Sequence, residues 1–185
     1  MTEIAAKTSL DSPLRLSVLT LSSAGRIGMT ICPGKCAPTS IGGHPWARDL
    51  SIDLEAIRVW GAQAVVTLME EWELRQYGVS QLGAAAEGLG MQWFHLPIVD
   101  GAAPSVDWDE AWSSRHGKAI HRLLDAGGSV LIHCLGGRGR TGTVAAKLLI
   151  ERGADADLAI QNVREAREGA VETLEQENYL RALPR

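Results

Sequence analysis

The run Ser129-Val-Leu-Ile-His133-Cys134-Leu-Gly-Gly-Arg138-Gly-Arg140-Thr141-Gly142 constrains this chain more than any other stretch. Ser129 to His133 has a continuous apolar centre, as in a strand covered on both faces. Gly139 to Arg152 reads as a helix. Between them, Gly136, Gly137 and Gly139 let the chain curl so that successive backbone N–H groups point inward. Such a nest at the positive end of a helix binds a tetrahedral dianion. Residues Leu135, Gly136, Gly137, Arg138, Gly139 and Arg140 would supply the amides. Arg140 would add a two-pronged guanidinium. Cys134 falls at the base of the loop, where the donors that hold an anion also stabilise a nucleophilic thiolate. A Walker-type nucleotide loop does not fit, because no Gly-Lys-[Ser/Thr] is present.

The rest of the chain alternates strand-like and helix-like segments. Strands are expected at 14–21, 29–32, 64–68, 92–98 and 129–133, and helices at 49–60, 70–77, 83–90, 139–152, 155–167 and 171–180. A single long helix is expected over 107–125, with Asp107 and Glu110 at the spacing of a capping box and Gly127-Gly128 closing it. Interleaved strands and helices imply an α/β fold with a largely parallel central sheet flanked by helices on both faces. At 185 residues the chain suits one domain over 14–185, after a flexible tail over 1–13.

Composition narrows the function. Hydrophobic residues make up 45% and charged residues 22%, ordinary soluble usage that excludes a disordered chain. Eighteen basic against 22 acidic residues give a net charge of -4, so no bulk attraction to nucleic acid or anionic membrane is expected. No apolar run is long enough for a membrane helix, and the first residues lack the apolar core of a secretory signal. Three cysteines cannot form a disulfide framework, which favours a reducing, cytoplasmic setting. Cys32 and Cys36, with His44 nearby, are open to three readings: loop cysteines, a metal site short of ligands, or a thiol partner for an oxidised Cys134.

The stretch from His133 to Gly142 resembles the HC-x5-R-[ST] signature of the cysteine-dependent protein tyrosine and dual-specificity phosphatases. His95-Leu-Pro-Ile-Val-Asp100-Gly-Ala-Ala-Pro104 is similar to the general-acid loop of dual-specificity phosphatases. With the segments WGAQAVVTLMEEWELRQYGV and GAVETLEQENYL, it looks most like the kinase-associated phosphatase branch, the cyclin-dependent kinase inhibitor 3-like enzymes. The resemblance covers roughly residues 25 to 180 and implies a dual-specificity-phosphatase-like sandwich.

That resemblance also implies roles. Cys134 would be the nucleophile of a phosphocysteine intermediate. Arg140 and the loop amides would hold the phosphoryl oxygens. Asp100 would be the general acid and then the base. Thr141 would hydrogen-bond the sulfur, and His133 would orient the loop without donating a proton. Gln176 would position water or be a solvated helix residue. No metal or organic cofactor is required. The substrate would be a phosphorylated protein or a small phosphorylated molecule; a cation at Arg138 keeps an inositol phosphate or phosphoinositide open. A phosphate-binding module with little turnover is the remaining alternative. Oligomeric state is not readable from the sequence.

Overall fold

The computed structural model describes residues 5–38 and 43–184. Five strands form the main sheet: β1 (Ser17–Thr20), β2 (Arg26–Thr30), β5 (Ala62–Thr67), β6 (Gln92–His95) and β7 (Ser129–His133), in the order β1-β2-β7-β5-β6. The β1–β2 pair is antiparallel and every other pairing is parallel. Two-residue strands β3 (Cys36–Ala37) and β4 (Trp46–Ala47) pair separately and were not anticipated.

Strand β7 is central, and all five of its residues are buried. That is why its sequence is apolar without alternation. Helices α1 (Leu50–Trp60) and α3 (Leu82–Gly88) pack together on the side of β5 and β6. Helices α5 (Gly117–Asp125), α6 (Gly139–Glu151), α7 (Ala156–Ala166) and α8 (Leu174–Ala182) cover the opposite face over β7, β2 and β1. In the register, His133 lies opposite both Thr30 and Thr67. The chain therefore leaves β2, β5 and β7 at one edge of the sheet, and the loops that follow converge there.

Three helices differ from expectation. The 107–125 segment is α4 (Val106–Ala111), a π-helical turn (Trp112–His116) and α5, rather than one straight helix. A side chain at Gly117 would come within 2.6 Å of Trp112 Nε1, so the indole occupies the space over that glycine. From there Trp112 Nε1 donates to Glu151, and the ring stacks on Trp108. The N-cap of α4 is Ser105, not Asp107: Ser105 is extended, and its hydroxyl accepts from Trp108 N–H at 3.2 Å. Asp107 lies in the first turn, where its charge faces the positive helix end. Helix α8 starts at Leu174 rather than 171, because Val171 has φ +56 and cannot propagate a helix. Thr173 and Gln176 form its capping box instead.

Residues 1–4 of the expected tail lie outside the described residues. From Lys7 onward the segment makes specific contacts. Lys7 N–H donates to Pro45 O, Ala47 N–H donates to Lys7 O, and Asp49 N–H donates to Ser9 Oγ at 2.9 Å.

Candidate active site

Cys134 follows β7 directly and is buried. Its Sγ accepts from the Gly137 N–H at 3.2 Å. The loop can close that tightly because Gly137 has φ +66, and a Cβ there would meet Thr30 O at 2.1 Å. Gly136, by contrast, has open space around it. The loop is buttressed from outside by Arg167, whose Nε donates to Gly137 O and whose Nη2 donates to Gly136 O at 3.1 Å.

Arg140 is the second residue of α6, and its side chain is almost wholly buried. Its Nη1 and Nη2 donate to the two carboxylate oxygens of Glu73 at 2.6 and 2.9 Å. Nη1 also donates to Ile98 O at 3.1 Å. Burial alone would lower the guanidinium's pKa, but Glu73, with Cys134 and Asp100, outweighs it and the net shift is upward. Asp100 stands on an exposed turn, and its Oδ1 pairs with Arg140 Nη2 at 2.8 Å. The Glu73 carboxylate, the Ile98 carbonyl and the Asp100 carboxylate thus converge on one guanidinium.

His133 is fully buried. Trp93 Nε1 donates to Thr67 Oγ1 at 2.9 Å, and that hydroxyl faces His133 Nε2 at 2.8 Å. Cys134 O, 3.4 Å from Nδ1, can only accept, so that contact places the ring proton on Nδ1 and leaves Nε2 to accept from the Thr67 hydroxyl. Burial brings the imidazole pKa down to about 3, which keeps it neutral at physiological pH.

Three expected roles meet a different geometry. Thr141 Oγ1 is buried without a hydrogen-bond partner, so the anticipated bond to the sulfur is not made. Gln176 is not a solvated residue: it is fully buried, its Oε1 accepts from Glu172 N–H and Thr173 N–H, and its Nε2 donates to Ala102 O at 3.1 Å. Its amide is spent tying α8 to the Asp100 loop, which leaves little of it to position water. The Gly139 N–H, expected in the phosphate cradle, donates to Glu172 Oε2 at 2.8 Å. Arg138 projects to the surface.

Sequence reasoning missed Glu73 and Glu172, while Arg167, which by sequence could face the pocket but reads as a solvated helix-end charge, is drawn onto the loop. Glu73 had a visible signal, since Glu70 and Glu73 have capping-box spacing at the start of α2 (Glu71–Gln76) and form that box. The sequence did not show that the same carboxylate would hold Arg140. Cys32 is buried against the loop, its N–H donating to Leu135 O at 3.3 Å, and burial pushes its thiol pKa up. Cys36 is exposed on β3.

Comparison with known proteins agrees with this geometry. Residues 43–154 match the profile of a family described as Tc-R-P, a polymorphic toxin system DSP-PTPase phosphatase. The chain is 31% identical over 173 residues to cyclin-dependent kinase inhibitor 3 of Rattus norvegicus, covering 92% of this chain and 78% of the rat protein. It is 32% identical over 128 residues to protein tyrosine phosphatase type IVA 3 of Bos taurus, covering 69% of this chain and 68% of the bovine one. The crystal structure of kinase associated phosphatase with its catalytic cysteine replaced by serine superposes with a TM-score of 0.78 at 28% identity, covering 91% of this chain and 93% of that one. With a buried cysteine under a glycine loop and an arginine clamped beside it, the chain belongs to the DSP-PTPase family of cysteine-dependent dual-specificity and tyrosine phosphatases, hydrolases of phosphomonoesters.

Proposed function

We propose that this protein removes phosphate from phosphotyrosine, and from phosphoserine or phosphothreonine, in protein substrates. The Cys134 thiolate attacks phosphorus in line, the S–P bond forms, and the bond to the leaving oxygen breaks. Asp100 gives its proton to that oxygen, then takes one from the water that cleaves the phosphocysteine. Arg140 and the loop amides hold the equatorial oxygens, whose charge needs fixed donors throughout the transfer. To let the phosphoryl group in, Asp100 must release Arg140 Nη2, which its exposed turn permits. The reaction needs only side chains and amides of this loop and its neighbours.

One observation carries the reading: Cys134 Sγ under the Gly137 N–H, with Arg140 held by Glu73 and reached by Asp100. Three free cysteines, the nucleophile among them, suit a cytoplasmic setting. Among the described residues no helix is long and apolar enough to cross a membrane. Cys134→Ser should cut hydrolysis of an aryl phosphate to below about one ten-thousandth while phosphate still binds. Turnover near the parent rate would reject the mechanism.

A further inference from the structure

Asp100 opens the turn Asp100-Gly-Ala-Ala103, and its side chain is 71% exposed. Glycine and alanine give such a turn freedom and little to pack with. Within it, Gly101 has φ +77 and Ala102 N–H donates to Val99 O at 3.0 Å. Three side chains from the start of α8 supply the missing hold. Thr173 Oγ1 donates to Gly101 O at 3.1 Å, and Gln176 Nε2 donates to Ala102 O at 3.1 Å. Glu175 Oε1 accepts from Ala103 N–H at 3.2 Å. The three consecutive residues after Asp100 are thus each tied to α8, across 72 to 74 residues of sequence.

Two of these anchors are themselves locked by the helix cap. Thr173 Oγ1 accepts from Gln176 N–H at 3.2 Å, and Gln176 Oε1 accepts from Thr173 N–H at 3.3 Å. The cap uses one hydrogen-bonding site of each side chain and the turn uses another. The same segment also bears on the start of α6. Glu172 Oε2 accepts from Gly139 N–H at 2.8 Å, and a Cβ on Gly142 would come within 2.8 Å of Val171 N. Residues 171–176 therefore touch the end of the phosphate loop and the acid turn at once. We infer that Thr173, Glu175 and Gln176 are positioning residues for the general acid. They fix the backbone of the Asp100 turn beside the phosphate loop, so that only the Asp100 side chain rotates, from Arg140 to the leaving oxygen. This rests on the phosphatase reading above, in which Asp100 is the acid, and adds what holds it in place.

A misplaced proton donor matters only where the leaving group needs the proton. A strongly acidic nitrophenol leaves as its anion unaided, whereas phenol, with a pKa of about 10, does not. The test compares kcat/KM for the phosphate esters of these two alcohols. Thr173→Val with Glu175→Ala removes two anchors and leaves the buried Gln176 in place. The ratio of nitrophenyl to phenyl ester should widen at least about tenfold, inside the range that acid–base help supplies. Thr173→Ser with Glu175→Gln keeps a hydroxyl and an acceptor oxygen, and should restore the parent ratio. Thr173→Val also weakens the α8 cap. Glu175→Ala alone is therefore measured too, because that side chain is exposed and outside the capping box, and it should move the ratio in the same direction. An equal fall for both esters, or an unmoved ratio, overturns the inference. Asp100→Ala separates it from the reading beneath. That variant should widen the ratio further; if it leaves the ratio unchanged while Cys134→Ser abolishes turnover, Asp100 is not the acid and the reading of its role falls first.

Discussion

The Arg140 guanidinium is gripped end-on by the Glu73 carboxylate, two hydrogen bonds at 2.6 and 2.9 Å, and both side chains are almost fully buried. This pair sets the direction in which the arginine presents its remaining donors. Glu73 is itself fixed by accepting the Glu70 N–H at 2.8 Å. The start of α2 and the start of α6, far apart in sequence, are thus joined by a buried ion pair.

Glu73→Ala takes away the buried partner of a buried cation and leaves it only the exposed Asp100, and should cost about 3–5 kcal/mol of stability. Urea denaturation measures it. Glu73→Gln keeps the shape and part of the hydrogen bonding, so it should fold better yet still lose kcat, because the guanidinium is no longer held in one orientation. Parent-like kcat in Glu73→Gln would show that the clamp is not needed for turnover.

The loop glycines should behave differently. Gly137→Ala places a Cβ against Thr30 O at a position with φ +66, so the loop must open. Activity on an aryl phosphate should fall at least about a hundredfold. Gly136→Ala meets nothing within 4 Å and should keep most of the activity. Comparable losses at both positions would contradict this loop geometry.

Glu172 holds the Gly139 N–H with a carboxylate, and an incoming phosphate competes for that donor while feeling the negative charge. Glu172→Gln should therefore lower KM for an aryl phosphate several-fold, about 1 kcal/mol. The KM measured at constant ionic strength tests this, and a raised KM would assign Glu172 a supporting role only.

His133 gives the stability a pH dependence. Its folded pKa is depressed to about 3 by burial, against an ordinary value near 6.5. Between those values the unfolded chain binds a proton that the folded chain refuses. Stability is thus undiminished above about pH 6.5 and falls as pH drops, by up to about 1.4 kcal/mol per unit from this group. His133→Gln should flatten that part of the curve in denaturation series between pH 4 and 7 (about the window in which the two states differ). An unchanged slope would place the proton uptake elsewhere. Because the imidazole stays neutral, its titration should not appear in the pH–rate profile.

The contiguous part of the site was legible from residue order alone. Ser129 to Gly142 must form strand, loop and helix, because an apolar strand, turn-forming glycines and a helix start leave few other arrangements. Cys134 and Arg140 follow from that, being held close by six residues of chain. Local rules also placed α1, expected over 49–60 with Gly61 after it; the structure makes Asp49 its N-cap and Gly61 its C-cap. What the tertiary structure decided was whatever depends on side chains meeting across distant segments. The Glu73–Arg140 clamp spans 67 residues and the Arg167 buttress spans 30. The shift from Asp107 to Ser105 as helix cap turned on backbone angles, and the π-helical turn on the space above Gly117. Sequence states which charges and donors must find partners; only the packed sheet and helices determine which partner lies within reach, because burial removes water as the alternative.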